Sequence, residues 1–136
     1  MGCSDTPEVQ DASMEPLRYF SHDSDAADDI KCKRLIRRLG YEGYGMWWRV
    51  CELMAAATGH TLPCATDEDR EILCDELRCD EEALSVFVAT LADVGLIDCD
   101  ALSEGRIASR RMIDNALKFG RLRVNGRRGG RPKRVQ

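Results

Sequence analysis

The chain has 136 residues, of which 43% are hydrophobic and 32% charged, and its formal net charge is −4. This length is sufficient for one small domain with a hydrophobic core, and no apolar run approaches the roughly 18 residues of a membrane span. The seven cysteines are an odd number without C-x-x-C spacing, which excludes the disulfide framework of a small secreted domain. We therefore expect a cytoplasmic protein without a membrane segment.

The charge is distributed unevenly along the chain. Residues 1 to 117 contain 12 Lys and Arg and all 24 Asp and Glu, a net charge of −12, whereas residues 118 to 136 contain 8 Lys and Arg and no acid. An acidic body followed by a basic end is typical of a protein whose end contacts a polyanion.

Residues 1 to 16 contain two prolines, four acids and no apolar periodicity, which predicts a disordered acidic leader. We expect the folded domain to cover residues 17 to 119. Residues 120 to 136 are rich in glycine and arginine and are predicted to be a flexible basic tail or linker.

Two helices are predicted next in the chain. The first covers residues 25 to 39, with its acids at the start and its bases at the end, and stops at Gly40. The second covers residues 44 to 57, where apolar residues recur every three or four positions.

An extended piece at residues 60 to 63 precedes a pair of helices. Thr66 and Asp69 have the spacing of a capping box that opens one helix, and Asp80 caps another, which runs to Val94 and stops at Gly95. Residues 96 to 99 and 106 to 109 alternate in polarity around a turn, as in a β-hairpin.

A last helix is predicted from Ser109 to Phe119. The order of these elements predicts a mainly α fold with a small β-hairpin wing, that is, a winged helix-turn-helix with additional helices.

The segment YFSHDSDAADDIKCKRLIRRLGYEGYGMWWRVCELM, residues 19 to 54, resembles the N-terminal domain of phage-type replisome organisers, the DnaD-like replication proteins. The resemblance is carried by Tyr19-Phe20, His22-Asp23, Ala27, Asp29, Gly43-Tyr44-Gly45, Trp48 and Glu52, and it extends more loosely over residues 17 to 123. Ser21 stands where these proteins commonly have proline.

The resemblance implies a self-associating winged-helix domain, most simply a dimer, that acts in starting DNA replication on a phage or mobile element. It also implies contacts with replication proteins through a C-terminal domain, and this chain ends where the linker to that domain is expected.

The candidate DNA contacts are arginines and lysines, because neutralisation of phosphates supplies most non-specific affinity for double-stranded DNA. The predicted tail contributes Arg121, Arg123, Arg127, Arg128, Arg131, Lys133 and Arg134, and the wing and the following helix contribute Arg106, Arg110 and Arg111. Residues 129 to 134, GGRPKR, are similar to the R-G-R-P core of an AT-hook, which binds A·T-rich DNA. Gly129 replaces the first arginine of that core, which weakens the A·T-specific alternative, so a preference for A·T-rich DNA stays open.

The helix at residues 80 to 94 occupies the position of a recognition helix but lacks Lys and Arg. Its first turn is acidic, and we expect its outward residues, Ser85, Ala89, Thr90, Ala92 and Asp93, to pack against a partner rather than read bases.

Two alternative functions remain open: a winged-helix transcriptional regulator, and a protein-interaction adaptor without DNA binding. The sequence contains no catalytic motif, so we expect neither an enzyme nor a cofactor. His22 lies among Asp23, Asp25, Asp28 and Asp29, but their order fits no calcium loop, and capping explains these acids without a metal.

Overall fold

The computed structural model describes residues 6 to 127, except the side chain of Arg127. The described chain forms six α-helices, two 3₁₀ turns and two short strands. The helices are α1 (Pro7–Ser13), α2 (Ile30–Ala56), α3 (Asp67–Leu77), α4 (Glu81–Val94), α5 (Cys99–Ser103) and α6 (Arg110–Arg127), and the strands are β1 (Thr61–Pro63) and β2 (Arg106–Ala108).

Helix α2 covers most of the two helices predicted between residues 25 and 57. Gly40 has φ 70° and ψ −170°, so the helix breaks where a stop was predicted. The start differs from the prediction, because the Asp29 carboxylate accepts hydrogen bonds from the backbone N–H groups of Lys31 and Cys32 at 3.0 and 3.3 Å. Residues 26 to 28 form a separate 3₁₀ turn instead of a first helical turn.

Helices α3 and α4 begin at the residues that the sequence predicts. The Thr66 hydroxyl accepts from the Asp69 N–H at 3.0 Å, and the Asp69 carboxylate accepts from the Thr66 N–H at 3.2 Å, which completes the capping box. Asp80 caps α4 through the Ala83 N–H at 2.8 Å, and Gly95 ends it with φ 86°.

The two strands pair across a long stretch of sequence. Strand β1 is antiparallel to β2, with Leu62 opposite Ile107. The predicted strand at residues 96 to 99 is wrong, since only the Asp98 N–H reaches β2, at the Ala108 carbonyl (2.9 Å). Asp98 then caps α5 through the Asp100 N–H at 3.1 Å, so the segment turns into a helix.

The prediction of fold class is confirmed: the protein is mainly helical with a small two-stranded antiparallel sheet, as in the winged-helix class. One hydrophobic core joins α2, α3, α4, the sheet and the first half of α6. Its largest fully buried side chains include Phe87, Leu35, Met54, Leu84, Leu91 and Ile107.

Helix α1 replaces the predicted disorder over residues 7 to 13. Thr6 caps it, with its hydroxyl accepting from the Val9 N–H at 3.2 Å. Val9 and Ala12 are buried together with Val124 of α6. The prediction of a disordered leader is therefore wrong for residues 6 to 16. It missed α1 because the apolar partner of this helix lies more than 100 residues away in the chain. Residues 1 to 5 lie outside the described part.

Helix α6 continues past the predicted end at Phe119 to Arg127. Gly120 permits this by close packing on α1: a Cβ there would lie 2.9 Å from both the Ser13 nitrogen and the Val9 oxygen. The predicted flexible tail is thus helical over residues 120 to 127. Among the described helices, none has the length and apolar character needed to cross a membrane.

Candidate nucleic-acid interface

Four basic side chains lie on one exposed side of α6: Arg110, Arg111, Lys118 and Arg121. Each residue of an α-helix advances about 100°, so these four fall within an arc of about 100° and span about 16 Å along the axis. The acidic Asp114 lies within the same arc. We name the four residues the basic face of α6.

The opposite side of α6 holds the helix against the rest of the protein. Its residues are Met112, Ala116, Gly120 and Val124, which recur every four positions and are all buried. Ser109 caps the helix, since its hydroxyl accepts from the Met112 N–H at 3.3 Å. The burial of this stripe fixes the basic face toward solvent.

Arg123 does not belong to the basic face. Its guanidinium donates to the backbone oxygens of Ala12 and Pro16, both at 3.1 Å, and to the Glu15 carboxylate at 3.0 Å. Side-chain exposure in this ion pair is 30% for Arg123 and 44% for Glu15. Arg123 therefore fastens the N-terminal segment to α6, a role that sequence reasoning missed because the partners lie over 100 residues away.

The wing arginines have acidic neighbours. Arg106, on β2, pairs with Glu104, and Arg111 pairs with Asp23 at 2.9 Å. Both pairs are largely exposed, and exposed pairs contribute only about 0–1 kcal/mol. A phosphate can replace either carboxylate at small cost.

The structure also brings Lys31, at the start of α2, close to the start of α6. Lys31 and Arg110 both line two adjoining cavities of about 130 and 340 Å³, and Arg111 lines the smaller one. Lys31 therefore meets Arg110 and Arg111, which are distant from it in sequence, at one groove. The groove also contains Asp29, Asp98 and Asp114, so its charge is mixed.

Helix α4, in the recognition position, has a different character. Arg70 of α3 pairs with Glu81 and donates to the Ser85 hydroxyl at 2.6 Å. Arg38 of α2 pairs with Asp93 at 3.4 Å. These arginines sit beside α4 with their charges partly neutralised, and α4 itself contributes only acids.

The predicted outward face of α4 needs one correction. Thr90 is buried, and its hydroxyl donates to the Val86 carbonyl at 2.7 Å within the helix. Ser85, Ala89 and Asp93 are exposed as predicted, and Ala92 is half-buried. Val86, which was not among the predicted outward residues, is 50% exposed.

Aromatic residues form a cluster around Trp48 of α2, in which the rings pack on one another. His22 stacks on Trp48 with ring centroids 3.6 Å apart, and Phe20 and Tyr44 contact the same indole. The Trp48 Nε1–H is buried without a hydrogen-bond partner. Within residues 6 to 127, no group of three or more His, Cys, Asp or Glu side chains is arranged to hold a metal ion.

The side chains of the remaining predicted contacts are not described. Arg127 is the last residue of α6, with an undescribed side chain, and Arg128, Arg131, Lys133 and Arg134 lie outside the described residues. Of the ten predicted contacts, the structure thus places three on the basic face, Arg110, Arg111 and Arg121. It places Arg106 on the sheet and turns Arg123 inward.

Comparison with known proteins gives one match. The family model described as Lin1244/Lin1753-like, N-terminal, matches residues 19–112, more than half of the chain. No curated protein and no solved structure matches.

Proposed function

The chain belongs to the Lin1244/Lin1753-like family, and on that premise we propose that it is a DNA-binding, self-assembling module in the initiation of DNA replication on a phage or mobile element. The matched region includes residues 19 to 54, which resemble the N-terminal domain of DnaD-like replisome organisers. This resemblance supports the replication role.

The observation that carries DNA binding is the basic face of α6 and its continuation along the chain. Residues 118 to 136 contain eight basic residues and no acid. Those up to Arg127 lie on the same helix as Arg110 and Arg111. The net charge of −12 on residues 1 to 117 repels phosphates elsewhere. We expect DNA to contact α6 and the segment after it, and to avoid α4.

Self-assembly is supported by the apolar groove between α2 and α4. The groove has a volume of about 430 Å³ and is lined by Met46, Val86 and Phe87, with Glu42 and Glu82 also among its lining residues. Half-exposed Val86 in such a groove is typical of a protein contact surface. Measurement of the molar mass by light scattering over a range of protein concentrations tests this part of the proposal.

The DNA-binding proposal is tested by fluorescence anisotropy of the full chain on mixed-sequence and A·T-rich duplexes across a salt series. Three variants are compared: R110Q/K118Q/R121Q on the basic face, R128Q/R131Q/K133Q/R134Q in the C-terminal segment, and K33Q/R34Q/R37Q on α2 as the control. The basic-face and control variants carry the same change in charge, and all three control positions are exposed.

We expect the basic-face variant to lose about five-hundredfold in affinity at 0.1 M salt, since each of the three phosphate contacts contributes a log–log salt slope of about −0.9. The C-terminal variant should lose at least as much, and the control little. If the control loses as much as the basic-face variant, only total charge matters and the assigned interface is wrong. Preference for the A·T-rich duplex should disappear in the C-terminal variant alone.

A second candidate function, a protein-interaction adaptor, is favoured by one observation. Helix α4 presents acidic residues and an exposed valine where a DNA-recognition helix presents basic residues. Absence of DNA binding by the full chain at low salt, together with concentration-dependent assembly, would favour the adaptor. A transcriptional regulator with base readout by α4 is less well supported, because α4 has no Lys or Arg.

A further inference from the structure

The turn between α3 and α4 places two cysteines in a defined relation. Helix α3 ends at Leu77, and Arg78 follows with φ 55° in the left-handed region. The Cys79 N–H donates to the Cys74 carbonyl at 3.1 Å. This hydrogen bond closes a six-residue turn, which is the Schellman motif. Cys74 lies three positions before the last helical residue, and Cys79 lies two positions after it.

The Schellman motif normally brings the side chains of these two positions into apolar contact. Both side chains here are thiols, so the motif places two cysteine side chains where it normally places two apolar ones. The two cysteines are half-buried, whereas Cys32, Cys51 and Cys64 are buried. Cys79 also lines the groove between α2 and α4.

We propose that Cys74 and Cys79 form a reversible disulfide, closed by a low-molecular-weight disulfide such as glutathione disulfide, which covalently fixes the turn between α3 and α4. The backbone hydrogen bond already holds the two residues next to each other. The proposal is independent of DNA binding.

Closure takes two steps, and we assign the first to Cys74. The Cys74 thiol loses its proton, and the thiolate attacks one sulfur of glutathione disulfide; a mixed disulfide forms, and the glutathione thiolate leaves and takes up the proton. Cys79 then loses its proton and attacks Sγ of Cys74, releasing the second glutathione. Two protein thiols are oxidised, and one glutathione disulfide is reduced to two glutathione thiols.

The surroundings make the pair slow to react at neutral pH. Burial raises the pKa of both thiols, and the Glu81 carboxylate, 3.9 Å from the Cys74 sulfur, raises the pKa of Cys74 further. Since the thiolate is the reactive form, the rate of closure should rise about tenfold per pH unit below the thiol pKa. Glu81→Gln should increase the rate at a given pH by removing the negative charge.

The sequence makes the product easy to identify by mass spectrometry. Trypsin cleaves after Arg70, Arg78 and Arg106, so Cys74 and Cys79 fall in separate peptides, residues 71–78 and 79–106. The second peptide also contains Cys99, which is exposed. The experiment therefore uses the full chain with C3S/C99S, incubated under native conditions with glutathione disulfide, alkylated and digested.

We expect a cross-linked pair of these peptides that disappears on reduction and does not form when C79S is added. A second readout is the thermal midpoint, which should rise by several degrees in the oxidised protein and return on reduction. Controls are Cys32 and Cys51, which should be alkylated only after denaturation; burial raises the pKa of Cys51 to about 12.

Alkylation of both thiols, or a separate glutathione on each, would overturn the proposed disulfide. A cross-link that leaves the thermal midpoint unchanged would show that closure does not fix the turn. A rate that Glu81→Gln leaves unchanged would contradict the assignment of Cys74 as the attacking thiol.

Discussion

Helices α4 and α6 occupy the two places where a winged helix can meet DNA, and they differ in charge and in what they bury. Helix α4 begins with Glu81 and Glu82, carries no Lys or Arg, and buries six of its 14 residues. Helix α6 buries a narrow stripe and presents the basic face. The contrast indicates that position in a fold does not determine use: the recognition position here contributes to packing, while the helix after the wing carries the charge.

The largest expected effect comes from breaking the packing of α4. Leu84→Ala removes a fully buried side chain from the core, which should lower the free energy of unfolding by about 3 kcal/mol. Urea denaturation followed by tryptophan fluorescence measures the change. Under conditions in which the variant is folded, its affinity for DNA should equal that of the unchanged chain; a parallel loss of affinity would place α4 in the interface.

A smaller effect on stability should distinguish Arg123, on the packed side of α6, from the basic face of the same helix. Arg123→Gln removes hydrogen bonds to Ala12, Pro16 and Glu15, so the free energy of unfolding should fall by about 1–2 kcal/mol. Amide hydrogen exchange of Val9 and Ala12 should accelerate as α1 detaches.

Lys118→Gln is the matched control, because it removes the same charge from the basic face. It should weaken DNA binding about eightfold at 0.1 M salt and leave exchange in α1 slow. If Arg123→Gln weakens binding more than Lys118→Gln does, the assignment of the two sides is reversed.

The smallest expected effect is the change in DNA affinity when a basic residue is added to the exposed side of α4. Ala89 is exposed on α4, and Ala89→Lys would add about one phosphate contact if this helix faced DNA, raising affinity about eightfold at 0.1 M salt. We expect a change of less than about threefold, because a charge farther from DNA than the Debye length is largely screened. The same anisotropy titration measures it, and an eightfold gain would contradict the comparison.

The sequence by itself determined the features that depend on residues within about four positions of one another. The capping box of Thr66 and Asp69, the Asp80 cap and the stops at Gly40 and Gly95 were predicted and are present. Their hydrogen bonds join neighbours in sequence, so the residue types are sufficient evidence. The concentration of basic residues after residue 117 is likewise a property of the sequence alone.

Only the tertiary structure decided the features whose partners are distant in sequence. Strand β2 pairs with β1 rather than with residues 96 to 99, α1 is ordered by burial against Val124, and Arg123 turns toward Ala12. Alternating polarity shows that a segment can be a strand but does not identify its partner. A basic residue near the end of a chain likewise gives no sign of whether it faces solvent or a carbonyl group, because that depends on which surface the folded chain brings opposite it.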